Sequence, residues 1–154
     1  MQLDGFDLRI LAAVQQRGDI SHVDLSERVH LSPTQCARRL ERLKEQGYVR
    51  QIVAILDPEL VGLTVVAHSL VSLRSHDEVA NGAFHKFILG ASEVVECYSQ
   101  TGDADFLMKV MTRDLAHLSD FIDRLIAAAG GLASLRSSIV LKTIKKTTEL
   151  PLPR

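Results

Sequence analysis

The sequence predicts an α+β protein, an N-terminal winged helix-turn-helix followed by a ferredoxin-like βαββαβ domain. Two observations carry this. Helix-start signals at Ser21 and Ser32 lie about ten residues apart. From residue 64 onward, apolar residues recur alternately at the spacing of strands and of helices, with Gly-Asp and Gly-Gly pairs where turns are needed.

Asp4 is a helix cap, and Phe6, Ile10, Leu11 and Val14 form the apolar face of a first helix that Gly18 ends. Ser21 followed by Asp24, and Ser32 followed by Gln35, are capping-box patterns: the hydroxyl accepts from an orphan amide and the other side chain reaches back. Pro33 stands at the first helical position, where its missing N–H costs nothing. The result is a short helix, a turn and a second helix. In that second helix Cys36, Leu40 and Leu43 make one apolar stripe, and Ser32, Pro33, Thr34, Gln35, Arg38, Arg39 and Arg42 lie off it. Polar groups at an exposed helix start, followed by arginines, supply base-edge contacts and then phosphate contacts, so double-stranded DNA is the candidate partner.

Gly47 is placed to cap this helix, and Tyr48 to Leu56 is β-prone, read as a wing or as a connecting strand. A strand is expected over Thr64 to Leu73 and a helix over Asp77 to Gly90, with Val79, Ala80, Phe84, Phe87 and Ile88 buried. Strands Val94 to Gln100 and Phe106 to Thr112 flank the turn Thr101 to Asp105. A helix over Asp114 to Ala129 buries Leu115, Leu118, Phe121, Ile122, Leu125 and Ile126, and a last strand runs from Leu135 to Lys145. Both faces of these strands carry apolar residues, but helices cover only one, so the other is expected to pair with a second copy. The implied division is 1–50, a helix-turn-helix DNA-binding domain; 51–63, strand and linker; and 64–154, a βαββαβ oligomerisation domain.

At 154 residues and 46% apolar the chain can bury a core in one domain or two. No stretch is apolar enough to span a membrane, and the first residues lack the basic and apolar regions of a signal peptide, so a cytoplasmic protein is expected. Cys36 and Cys97 each sit in an apolar pattern and are read as reduced packing residues. The six histidines show no metal-ligand spacing, and no phosphate loop or nucleophile elbow is present, so neither a metal nor a cofactor is implied. The net charge of −1 does not favour nucleic acid, but Arg38, Arg39, Arg42, Lys44 and Arg50 locally outnumber Glu41 and Glu45.

Three segments together resemble the Lrp/AsnC, or feast/famine, family of transcription regulators. They are Leu3-Asp4-x-x-Asp7-x-x-Ile10-Leu11; Leu31-Ser32-Pro33-Thr34-x-Cys36-x-x-Arg39-Leu40-x-x-Leu43-x-x-x-Gly47; and Glu96-Cys97-x-x-x-Thr101-Gly102-Asp103-x-Asp105-x-Leu107. The resemblance implies a C-terminal regulation of amino acid metabolism domain that dimerises and assembles further into octamers or similar rings. It also implies a small effector, usually an amino acid, bound between dimers. Thr101, Gly102, Asp103, Ala104 and Asp105 match the turn lining that effector pocket, and Arg136, Ser137, Ser138 and Ile139 align with pocket-facing positions. Glycine lets amides approach a carboxylate, and aspartate accepts from an ammonium group. Ala104 stands where many members carry a larger, often aromatic residue, a change that reshapes the pocket.

Siroheme decarboxylases resemble the same two-domain architecture and are the enzymatic alternative. They need histidines converging on a tetrapyrrole, for which His68, His85 and His117 are the candidates. The exposed basic helix favours the regulator, because a decarboxylase has no use for one. A purely protein-binding module is a third reading, distinguished by a weak salt dependence of binding.

Overall fold

Asp4 opens the first helix, α1 (Gly5–Gln16), with a complete capping box: its carboxylate accepts from the Asp7 amide, and the Asp7 carboxylate accepts from the Asp4 amide. The computed structural model in which this is seen describes residues 3–75, 77–129 and 131–153. Ser21 caps α2 (His22–Val29), but here only the hydroxyl half of the expected box is formed, accepting from the Asp24 amide at 3.0 Å. The turn after α2 is made by His30 in the left-handed region, φ 57°. Ser32 then caps α3 (Pro33–Glu45) with a full box to Gln35 and Pro33 at its first position. Gly47, at φ +77°, lets the Tyr48 amide return to the Leu43 carbonyl and close the end of α3. Ile10, Leu25, Val29, Cys36 and Leu43 meet in one core, each 1% exposed or less.

Residues 48–56 form no strand, contrary to the sequence expectation. Val53 is 63% and Ile55 69% exposed. β-propensity describes the fit of a side chain to a sheet surface, and no described strand lies beside this segment to supply a ladder.

The second half is a four-stranded antiparallel sheet of β1 (Val65–Leu73), β2 (Val94–Ser99), β3 (Phe106–Thr112) and β4 (Leu132–Ile139), ordered β2-β3-β1-β4. With α4 (Glu78–Gly90) and α5 (Leu115–Ala128) on one face, this is the expected ferredoxin-like arrangement. Ala67, Val71, Phe106, Met108 and Val110 point toward Phe84, Leu118, Phe121 and Leu125. Each fully buried large apolar side chain of this set contributes about 1.5–3 kcal/mol. The opposite face presents Val66, His68, Leu70, Leu107, Lys109 and Met111, of which His68 and Leu70 are exposed and the others half-buried.

Three sequence expectations are corrected here. β4 begins earlier than expected and ends at Ile139, because its only partner among the described residues, β1, starts at Val65 and offers nothing to pair with beyond Val140. Val79 on α4 is 82% exposed, and Leu115 and Ile126 on α5 are 59% and 51% exposed. Helical spacing places them near the apolar stripe, but the sheet is too narrow to cover so wide a face. Ala80 lies in α4, Phe87 and Ile88 pack at the edge of the core, and the side chain of Ala80 lies outside the described residues.

The chain divides into two compact units, Met1–Ile55 with Lys145–Arg154, and Leu56–Ile144. Residues 145–153, grouped from sequence with the C-terminal domain, thus return to the helical unit. No helix among the described residues is long and apolar enough to cross a membrane.

Candidate nucleic-acid and effector sites

The charged face of α3 is organised by an acid on α1. Asp7 occupies the apolar stripe of α1 with Ile10 and Val14, and its side chain is 2% exposed. A carboxylate taken out of water needs partners, and α3 provides two: Arg39 donates from Nη1 at 2.8 Å and Arg42 from Nη2 at 2.7 Å. Arg39 also donates to Asp4 at 2.7 Å and stacks over the Phe6 ring, 5.5 Å from its centroid. The Asp4 carboxyl is lowered from the ordinary value of 3.8, first by the Asp7 amide and then by Arg39, and the Arg39 guanidinium is correspondingly raised by Asp4 and Asp7.

The seven residues expected to read DNA therefore fall into two groups. Ser32, Pro33, Thr34, Gln35 and Arg38 are exposed. The Gln35 amide oxygen is committed to the capping box, leaving its NH2 group to donate outward. Arg38 makes no ion pair among the described residues. Arg39 and Arg42 are half-buried and turned back on α1, a departure from the freely solvated arginine face that the helical spacing suggested. Sequence reading missed the role of Asp7, although an acid on an otherwise apolar stripe is the signal of a buried ionic partner.

In the second unit the 101–105 turn meets the end of β1, and Arg136, Ser137 and Ser138 pair with its middle. The Asp105 amide donates to the Val71 carbonyl at 3.0 Å, and its carboxylate accepts from the Leu73 amide at 2.8 Å. These bonds draw the 101–105 turn onto β1 and close Ala104 in, at 7% exposure. Gly102, at φ +122°, makes the reversal that this requires. Thr101, Gly102 and Asp103 remain exposed. Asp105 is thus a turn-fixing residue, and Ala104 is a packing residue in the single chain.

Across β1, Leu70 pairs with Arg136 and Ser69 with Ser137. Ser137 shares a 2.8 Å hydroxyl contact with the buried Ser69, so it faces the helix side, and Arg136 and Ser138 alternate to the open face. The three do not line one surface of a single chain. Of the histidines considered for a tetrapyrrole, His68 lies on the open face, His85 on α4 has its ring edge-on to Phe106 at 5.7 Å, and His117 on α5 meets Glu93 at 3.1 Å. They stand on opposite sides of the sheet. Cys36 and Cys97 are free thiols, both raised from the ordinary 9.0 by burial.

Residues 66–150 match the Lrp/AsnC ligand binding domain family, and residues 3–50 match the winged helix-turn-helix DNA-binding family. The DNA-binding transcriptional activator DecR of Escherichia coli is 35% identical over 150 residues, 97% of this chain and 99% of that protein. The leucine-responsive regulatory protein of Haemophilus influenzae is 35% identical, over 97% of this chain and 90% of its own length. Among solved structures, a Neisseria meningitidis transcriptional regulator in complex with L-methionine is 40% identical. It superposes with a TM-score of 0.93, covering 97% of both chains. An AsnC family regulator from Agrobacterium tumefaciens is 34% identical with a TM-score of 0.90, again over 97% of each chain.

Proposed function

Because this chain belongs to the Lrp/AsnC family of transcription regulators, we propose that it grips operator DNA through the start of α3 and that an amino acid bound by its second domain tunes that grip. It is a DNA-binding regulator with a ligand-binding domain, and its family assembles as homo-oligomers. The exposed polar turn 32–35 followed by Arg38 supports a major-groove reader, with Arg39 and Arg42 behind it on the same helix. The neisserial relative's complex with L-methionine supports an amino acid as the effector class.

The functional division is a DNA-binding domain at 1–50, a linker at 51–63 and an effector and assembly domain from 64 to 144, with the segment from 145 onward grouped with the helical unit. The proposed effector contacts are Thr101, Gly102, Asp103 and Arg136, with Ser138 facing the same side as Arg136; Ala104, Asp105 and Ser137 support them from behind. Arg136 and Ser138 lie on the open face of the sheet, where a second copy is expected, which supports a pocket completed by contact between dimers. Ligand there shifts the spacing of paired helix-turn-helix units and so which half-sites are gripped together. No catalytic step is assigned, because the three histidines do not converge, and the place of action is the cytoplasm, where the operator lies.

A gel-shift on the protein's own promoter region, at two salt concentrations and with or without an amino acid mixture, tests this reading. A sequence-preferring shift that weakens steeply with salt and changes with the mixture is the expected result. A shift indifferent to salt contradicts DNA recognition through phosphates, and a shift indifferent to every amino acid contradicts the effector class.

A further inference from the structure

We propose that the C-terminal segment, residues 145–153, is a strap that docks on α1 and couples the DNA-reading unit to the ligand-binding domain. The chain leaves the helical unit after Ile55 and returns to it at Lys145, so the two units are joined covalently twice. Since β4 ends at Ile139, only residues 140–144 separate that strand from the strap.

The return is anchored by one side chain. Gln15, in the last turn of α1, donates from Nε2 to the Leu150 carbonyl at 3.1 Å, and its Oε1 accepts from the Leu150 amide at 2.9 Å. A side-chain amide thereby stands in for the peptide of a neighbouring strand and satisfies both backbone groups of one residue. Thr148, Leu150 and Leu152, two residues apart and so on one side of an extended segment, border a recess of about 580 Å³ with Leu11, Val14 and Ile52.

Composition suits the role. Pro151 and Pro153 hold the segment extended and remove two N–H groups that would otherwise need partners, which lowers the entropy lost on docking. The hold is light: Leu150 keeps 69% of its exposure, and Leu152 is half-buried. Two hydrogen bonds and a partly buried leucine make a contact that opens and closes rather than a permanent seam.

The strap reaches the DNA-reading face through α1. Its anchor is Gln15 near one end of that helix, and Asp4 and Asp7 at the other end hold Arg39 and Arg42 of α3. A shift of β4, the strand that carries Arg136 and Ser138, is passed through five residues to α1 and so to α3. The transmission of an effector signal rests on the regulator reading above; the docking itself does not.

The test uses the full chain, Gln15→Leu, and a chain ended after Thr147. Hydrogen exchange over residues 8–16 and the affinity for promoter DNA are measured with and without an amino acid mixture. Without amino acids, both variants should exchange about three- to tenfold faster over 8–16, the scale of one or two modest hydrogen bonds, and bind DNA with altered affinity. Unchanged exchange and unchanged affinity in both variants overturn the strap. With amino acids, wild type should change in exchange at 101–105 and in DNA affinity, whereas the variants should keep the first change and lose the second. An equal change in DNA affinity in all three proteins overturns the coupling. No change at 101–105 in any of them counts against the effector reading alone, and the strap is still decided by the first comparison.

Discussion

The Asp7 carboxylate on α1 accepts a 2.8 Å hydrogen bond from the Arg39 guanidinium on α3. With its side chain 2% exposed, and with Arg42 bound to the same oxygen, Asp7 joins the capping of one helix to the orientation of the next. Removing it leaves Arg39 with Asp4 alone and takes from Arg42 the carboxylate it is bound to. Asp7→Ala should destabilise the helical unit by about 3 kcal/mol, the lower end for breaking a buried pair, because both arginines keep some access to water. Thermal unfolding followed by circular dichroism measures this. A melting point equal to wild type would show that the pair contributes nothing.

Arg38 and Arg39 are neighbours in sequence with different surroundings. Arg38→Ala should weaken operator binding, reduce the salt slope by about one if it meets a phosphate, and leave the melting point unchanged. Arg39→Ala should lower both affinity and melting point. Fluorescence anisotropy titrations at several salt concentrations, paired with melting curves, separate the two. Equal melting losses would contradict the distinction.

Gly102 turns the chain at φ +122°, and a Cβ there meets nothing within 4 Å. The penalty of Gly102→Ala is therefore backbone strain alone, about 1–2 kcal/mol. Asp105→Ala should cost a similar amount by releasing the Leu73 amide. Urea unfolding of each variant checks both.

Glu93 takes hydrogen bonds from His117 and Arg124 with 11% of its side chain exposed. Burial pushes its carboxyl up, but the backbone bond, Arg124 and His117 outweigh that and hold it below the ordinary 4.5. A depressed folded value means that the stabilisation is complete above about pH 4.5 and is lost as pH falls through the lower folded value. The stability gap between wild type and Glu93→Gln should be constant near neutrality and close in acid. A gap that does not narrow at any pH below 4.5 would show that charge is not its source.

The open face of the sheet places Leu70 opposite Leu107, and Leu70 is 37% exposed in the single chain. If this face joins two copies, Leu70→Lys buries an unpaired charge at their contact. Sedimentation should then report smaller assemblies while circular dichroism stays unchanged.

The helix-turn-helix was legible because its signals are local. Ser32, Pro33 and Gln35 specify a helix start within four residues of chain, and Cys36, Leu40 and Leu43 mark its buried side. The βαββαβ order was legible because periods of two and 3.6 differ over short windows. What failed was wherever a partner decides the outcome. Tyr48 to Leu56 has the residues of a strand but no strand to pair with among the described residues, and β4 stops where β1 stops.

By itself, then, the sequence determined the helices, the βαββαβ order, the caps and the family to which they belong, all of which depend on residues within a few positions of one another. Only the tertiary structure decided that Arg39 and Arg42 turn back to Asp7, that Asp105 fixes the turn it sits in, and that Leu150 returns to Gln15. Those pairs are separated by 32, 35, 32 and 135 residues. Each is set by which buried or extended group lacks a partner once the helices and strands have packed, a condition that no local pattern contains.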